Sequence, residues 1–387
     1  MRIVILSHYS TFQFKDLLVL KQNQNEHPYP WVRNLAEGLA LINDNDVFVI
    51  TVRSTLQKTQ SIKVNGVNYL FVKSSSWFLR FLTLGLIEIF KLNNMINKIK
   101  PDLVHSLDLD FYGFCATISK FKHLITIHGI PKVFWRFSKQ TIGARIKKKI
   151  VYFILENTEY FIIISPYVYN FLKTNKKTNY IYEFIENPIS MNYFSYSMNL
   201  VEKKRQLIWI GTIQERKGVT ELIQVIASIP TITINMIFSY VDNEYFLLIR
   251  KLIEEYKLSN RINLLGYKNE VEIINLLDES YLLVLTSKEE TAPMVISESF
   301  ARGVPVVSFD IGGINYMIDN CETGFTVEYG NILEFSNRVN ELLSDEELYT
   351  ITSIKCKEKA KNSYHPKKVA EKTSLFYNHI IKEEYET

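Results

Sequence analysis

The sequence predicts two doubly wound α/β domains, and three observations carry that expectation. The chain has 387 residues, too long for one ordinary core at ~100–200 residues per domain. Short continuous apolar runs alternate with helical patterns, as strands do when a parallel sheet is covered by helices on both faces. The alternation breaks once, near residue 190, and then restarts. Ligands of such sheets bind beyond the carboxyl ends of the strands, so a cleft where two such domains face each other is the expected binding place.

In the first half the strand-like runs are "RIVILS" at the very start, "DVFVIT" (46–51), "DLVHSL" (102–107), "HLITIHG" (123–129) and "YFIIIS" (160–165). Helical patterns such as "WVRNLAEGLALI" and "IEIFKLNNMINKI" separate them. The stretch 186–206 is polar, lacks a period and ends in charges, so it reads as a connection. A second series follows: "LIWIG", the helix "GVTELIQVIASI", then "TITINMIF", "RINLLG", "YLLVLT" and "VPVVSF". Helices dominate from Ile332 onward. The expected layout is a first domain over 1–190, a linker over 191–205 and a second domain over 206–365. A final helix, 366–387, returns to the first domain.

Composition narrows the class. Hydrophobic residues make up 47% and charged residues 22%, the balance of a soluble globular chain. A net charge of +4 is too small to argue for nucleic acid, and no nucleic-acid module accompanies it. Cys115, Cys321 and Cys356 lie far apart without metal-ligand spacing, which fits a reduced cytoplasmic setting. The N-terminal apolar run reaches His8 too soon for a signal peptide, and "SSSWFLRFLTLGLIEIF", interrupted by Arg80 and Glu88, is too short to span a bilayer.

The richest stretch is "EETAPMVISESFARGVPVVSFDIGG" (289–313). A strand ends near Ser287, and Pro293, a residue favoured in a first helical turn, opens a helix. Glu290 therefore arrives at a strand's carboxyl end beside a helix N-terminus, where unpaired N–H groups at Met294 and Val295 and a partial positive charge suit a phosphate. Glu298, one turn in, is placed to accept hydrogen bonds from ribose hydroxyls. The plainer reading pairs Glu298 with Arg302 at i+4 and leaves Glu290 to favour the helix dipole. In "WIGTIQERKGVTELIQVI" (209–226) the strand ends at Gly211, and Arg216 and Lys217, just before Gly218, are cations able to neutralise a diphosphate. An ordinary charged loop reads the same way.

These residues resemble the family 4 glycosyltransferases. Their fingerprint is two glutamates with seven residues between them, then Ala, Gly, Pro-Val and Gly-Gly. The chain supplies Glu290, Glu298, Ala301, Gly303, Pro305, Val306, Gly312 and Gly313 in that order, followed by Gly324. The resemblance is strong over 205–328 and looser over 100–190, where "IISPYVYNFL" and "FIENPI" also match. It implies the glycosyltransferase B fold and retention of anomeric configuration. The first glutamate would face the donor sugar and the second would bind the ribose of a sugar nucleotide. His128, in the strand-end "HG", would lie beside the donor sugar; read alone it is equally a satisfied, partly buried histidine. The family usually has Gly-Arg where this chain has Gly211-Thr212, which makes Arg216 the candidate replacement cation. It also usually carries a glycine pair after the first strand, where this chain has a long loop with His27, Tyr29 and Trp31. Those rings form either an acceptor pocket or a brace for the loop.

Two further features bear on partners. "FWRFSKQTIGARIKKK" (134–149) interleaves Phe134, Trp135 and Phe137 with Arg136, Arg145 and Lys147 to Lys149, a pattern that suits either an anionic membrane surface or a solvated helix face. Asp108 and Asp110 in "SLDLDF" read as acids at a helix start, away from the phosphate elements, so no metal is expected. The resulting expectation is a retaining transferase moving a hexose-type sugar from a UDP- or GDP-sugar to a glycan or lipid-linked glycan. It would work in the cytoplasm or at the inner membrane face during surface polysaccharide synthesis. A sugar-nucleotide 2-epimerase and a non-catalytic sugar-nucleotide-binding subunit are the alternatives.

Overall fold

The computed structural model describes residues 1–20, 29–42, 45–83, 85–131, 141–195 and 203–382. The chain forms two compact units, Met1–Pro188 with Pro366–Thr387, and Ile189–His365.

In the first unit eight described strands form one sheet in the order β3-β4-β2-β1-β5-β6-β7-β8. Their ranges are β1 Arg2–Leu6, β2 Asp46–Arg53, β3 Gln60–Val64, β4 Val67–Lys73, β5 Leu103–Leu107, β6 His123–Ile127, β7 Tyr160–Ile163 and β8 Ile181–Phe184. All neighbours pair in parallel except β3 with β4. The central strands β5, buried throughout, and β1, buried past Arg2, have helices covering both faces. On one face Pro30–Ala40 and Pro366–Lys382 share a core with Ile3, Ile5 and Val49. On the other, Leu86–Ile99 and Phe111–Thr117 pack over Val4, Leu6 and Val104. The C-terminal helix is tied down by a buried polar bond: His105 Nδ1 and the Tyr377 hydroxyl are 2.6 Å apart, and His105 Nε2 lies 2.6 Å from Thr126 Oγ1. Burial in this cluster, with His128 nearby, pushes His105 down to about 3, so its ring is neutral.

In the second unit six described strands, all parallel, run in the order β11-β10-β9-β12-β13-β14. They are β9 Gln206–Ile213, β10 Thr233–Val241, β11 Ile262–Gly266, β12 Leu282–Leu285, β13 Val306–Phe309 and β14 Gly324–Val327. Counted from β9, this is the 3-2-1-4-5-6 order of the dinucleotide-binding sheets. The connecting stretch expected from residue 191 differs from what forms. Met191–Phe194 is a 3-10 turn whose Tyr193 is buried in the second unit's core with Ile208, Leu283 and Phe300. A polar sequence hid it because its partners are far away in sequence: Ser190 and Asn192 bond to Glu270, and the Tyr193 and Ser195 carbonyls accept from Arg302. All three cysteines are free thiols, Cys115 and Cys356 buried and Cys321 exposed. Among the described residues no helix is long and apolar enough to cross a membrane.

Candidate functional site

Strand order in the second unit reverses between β9 and β12, so the loops leaving their carboxyl ends diverge and open a crevice. Most of the site residues singled out in the sequence lie on those two loops. After β9 the chain makes a 3-10 turn over Glu215–Lys217, and Gly218, at φ 62, caps the Val219–Ser228 helix. A Cβ at Gly218 would lie 1.7 Å from the Thr286 carbonyl oxygen. Thr286 Oγ1 donates to the Gly218 carbonyl at 2.7 Å, and Lys288 N to the Arg216 carbonyl at 2.8 Å. Glycine is required there twice, for its left-handed backbone and for the close approach.

This lock sets Lys217 against Glu290. The Lys217 ammonium donates to Glu290 Oε1, which also accepts from Ser287 Oγ at 2.9 Å. The two side chains are only 16% and 10% exposed, so the ion pair is held in a poorly screened place. The glycine pair fixes the Glu290 backbone from the other side. Gly313 N donates to the Glu290 carbonyl at 3.0 Å, and a Cβ at Gly312, φ 55, would lie 1.9 Å from that oxygen. The glycine pair of the fingerprint therefore serves the loop that carries Glu290.

Gly211 lies within β9, against the Trp209 ring, and Thr212 Oγ1 donates to Gln214 Oε1 at 3.3 Å. Arg216 is exposed on the 3-10 turn. Burial raises the Glu289 carboxyl, and the Arg216 charge opposes that push while Glu290 adds to it. The Met294–Ala301 helix follows with Pro293 as its N-cap. No side chain caps this end, and the first-turn N–H groups of Met294 and Val295 have no acceptor within the helix. Their partial positive charge is presented one residue beyond Pro293.

Glu298, half-buried on this helix, does not pair with Arg302. Arg302 instead grips Asp278, with Nε on Oδ1 at 2.8 Å and Nη2 on Oδ2 at 2.7 Å. Its Nη1 donates to the Tyr193 carbonyl at 3.0 Å and the Ser195 carbonyl at 2.6 Å. A planar guanidinium takes the bidentate partner when the fold supplies one, here 24 residues away in sequence. Glu298 is left with the Tyr193 hydroxyl as its hydrogen-bond partner, and burial together with the Glu270 carboxylate pushes it up to about 7. Glu270 itself accepts from Ser190 Oγ at 3.0 Å and Asn192 Nδ2 at 2.5 Å. Sequence spacing gave no sign of Tyr193, Glu270 or Ser287. Because the Arg302–Asp278 pair is nearly buried, Arg302→Ala should cost about 3–5 kcal/mol in urea unfolding. A loss within 0.5 kcal/mol would show that Arg302 does not anchor the 193–195 segment.

His128 belongs to the first unit, directly after β6. Burial brings its ring down to about 4, against a raising hydrogen bond from Asn187, so it is neutral at pH 7. A small cavity beside it is lined by Trp31, His105, Thr126, Asn187 and Thr373 among others. Tyr29 and Trp31 pack on the first unit's core and also extend a row of rings along its strand ends. His8 and Tyr29 stack at 5.8 Å, Tyr29 meets Trp31 edge-on at 5.5 Å, and Trp31 lies 5.3 Å from His128. His27 and residues 132–140, which include Phe134, Trp135, Arg136 and Phe137, lie outside the described residues. Asp110 caps the Phe111–Thr117 helix through Tyr112 N at 2.8 Å, and its other oxygen lies 2.7 Å from His8 Nε2. Among the described residues no three His, Cys, Asp or Glu side chains are grouped to hold a metal ion.

Comparison with known families places this geometry. The family description "Glycosyltransferase Family 4" matches residues 31–190, and "Glycosyl transferases group 1" matches 195–363. The chain belongs to glycosyltransferase family 4. The transferase is 24% identical over 308 residues to N-acetyl-alpha-D-glucosaminyl L-malate synthase of Bacillus anthracis, covering 72% of this chain and 80% of that one. It is also 24% identical over 324 residues to the capsular polysaccharide biosynthesis glycosyltransferase CapM of Staphylococcus aureus, covering 76% and 81%. Among solved structures it superposes on Anabaena HepE in complex with UDP with a TM-score of 0.75 at 14% identity, over 98% of this chain and 100% of that one. This likeness extends the two-unit α/β plan of the glycosyltransferase B fold to the whole transferase.

Proposed function

We propose that this glycosyltransferase transfers a hexose-type sugar, with retention of configuration, from a UDP- or GDP-sugar to a glycan or lipid-linked glycan in surface polysaccharide synthesis. The observation that carries the donor half is the juxtaposition of Lys217, Glu290 and the N-terminus of Met294–Ala301 at the strand-order reversal of the second unit. There the Lys217 ammonium and the N–H groups of Met294 and Val295, next to Pro293, meet the charge that develops on the departing diphosphate as the bond from the anomeric carbon breaks. Preorganised charge of this kind is commonly the largest catalytic contribution. Arg216 adds a second cation, the backbone at Gly211 borders the donor, and Glu298 accepts from the ribose hydroxyls. Glu290 and the neutral His128 orient the sugar.

The complex of HepE with UDP supports a uridine nucleotide over guanosine. The capsular role in the name of CapM supports a surface-glycan acceptor. The run of cations Arg145 and Lys147 to Lys149 on the Ile142–Glu156 helix supports work at an anionic inner membrane face. Because the cations and the helix end already address the diphosphate, no metal enters the reading.

Incubation with a panel of UDP- and GDP-hexoses and glycan acceptors, followed by proton NMR of the product, tests it. The expected product keeps the donor's anomeric configuration and forms at the same rate in EDTA. A free epimerised sugar made without acceptor would contradict transfer, and activity lost in EDTA and restored by manganese would contradict metal independence.

A further inference from the structure

The first unit carries an exposed apolar element that neither the donor site nor the core uses. The Trp77–Leu82 helix, sequence WFLRFL, has no buried residue, although a short apolar helix ordinarily survives by burying one side. Trp77, Phe78, Phe81, Leu82, Leu86 and Phe90 are each at least 60% exposed, and the Trp77 and Phe81 rings stack at 5.8 Å. A cluster of this size on a soluble surface marks a place where something binds.

The element is held in place deliberately. Ser76 caps the Trp77–Leu82 helix, and Glu88, from the Leu86–Ile99 helix, accepts from Ser75 N at 2.7 Å and Ser74 Oγ at 3.3 Å. Glu88 is only 1% exposed, so the single acid between residues 74 and 100 is hidden while Arg80, Lys91, Lys98 and Lys100 remain. Along residues 74–100 the charges left at the surface are thus cations alone. The Leu86–Ile99, Phe111–Thr117 and Ile142–Glu156 helices lie side by side on this face. Leu92 and Ile96 share a core with Tyr112 and Cys115, and Phe114 meets Phe153 at 5.6 Å. The Ile142–Glu156 helix repeats the pattern, with Ile142 and Ile146 exposed beside Arg145 and Lys147 to Lys149 and no acid before Glu156.

We propose that this face of the first unit docks on an anionic lipid bilayer, with Trp77, Phe78, Phe81 and Leu82 entering the interfacial layer. Arg80 and the lysines of the two longer helices would meet the headgroups. Aromatic rings with one polar edge favour the depth of the headgroups, and cations beside them select anionic lipid. The inference deepens the membrane reading given above, rests on it only for the kind of surface, and moves the inserting element from 134–149 to 77–90.

Flotation of the full chain with phosphatidylcholine vesicles, with and without phosphatidylglycerol, tests it. Wild type should float with the anionic vesicles, and Trp77→Ser/Phe81→Ser should lower the partition coefficient at least about tenfold while UDP binding is unchanged. In vesicles of brominated lipid, Trp77→Phe should still bind yet lose tryptophan quenching. Wild type binding with no loss in the double variant, but with loss in Lys147→Ser/Lys148→Ser/Lys149→Ser, would overturn the inference and leave the membrane reading standing. No binding of wild type to either vesicle would overturn both. A wild-type dimer in sedimentation velocity, dissociated by the double variant with vesicle binding unchanged, would show that a second copy covers the patch and would also overturn the inference. Failure of UDP to bind bears on the donor site alone.

Discussion

Replacing Lys217 with alanine should lower kcat by about 10²–10³-fold, because it removes the cation proposed to meet the developing diphosphate charge. The same change strips Glu290 of its ion-pair partner in a poorly screened pocket, leaving it only the Ser287 hydroxyl. Part of the effect should therefore appear as lower thermal stability, and urea unfolding of the variant measures that part separately. Arg216→Ala should cost much less, since Arg216 stands exposed on the outer side of the turn and faces Glu289. Equal losses in the two variants would instead make Arg216 a full replacement for the arginine that Thr212 displaces. Wild-type turnover in Lys217→Ala would remove the phosphate role altogether.

The second large effect concerns Glu298 and pH. Burial and Glu270 raise its carboxyl from 4.5 to about 7 in the folded chain. Between those values the folded chain holds a proton that the unfolded chain has released, so this group makes stability fall as pH rises from about 4.5 to 7. Glu298→Gln, neutral throughout, should flatten that slope in thermal unfolding. Ligand binding should show the opposite preference, because ribose hydroxyls donate to a carboxylate. Affinity for UDP-glucose should therefore weaken by up to about tenfold per pH unit below pH 7 in wild type. At pH 8, Glu298→Gln should bind about 10–150-fold more weakly, the loss of hydrogen bonds to a charged group, and its affinity should not change with pH. Calorimetry showing equal affinity in the two proteins would assign Glu298 to the Tyr193 contact alone.

What the sequence could reveal was set by the range of the interaction. Strands buried on both faces announced themselves as apolar runs, because every position in β12 and β13, and every one in β1 after Arg2, is covered. The fingerprint glycines were legible because a backbone carbonyl abuts each of Gly218, Gly312 and Gly324, so no other residue fits. The β3–β4 hairpin went unread although its signal was present: Asn65-Gly66 at positive φ joins two alternating segments with Val64 opposite Val67. Edge strand β8, half exposed, and β14, whose apolar run is broken by Gly324 and Thr326, did not stand out. The i+4 spacing of Glu298 and Arg302 misled, since local spacing cannot know that the fold brings Asp278 within reach. For the same reason Tyr193, Glu270 and the hidden Glu88 emerged only in three dimensions.

Lys217 and its neighbours, as a proposed diphosphate site of the second unit, should tell a nucleotide from its nucleoside. Calorimetric titration of UDP and uridine into wild type and Lys217→Ala, with GDP and guanosine run alongside, tests it most directly. Wild type should bind the diphosphate far more tightly than its nucleoside, and most of this difference should disappear in Lys217→Ala. A difference that survives the substitution intact, or that is absent from wild type with both nucleotides, would contradict it.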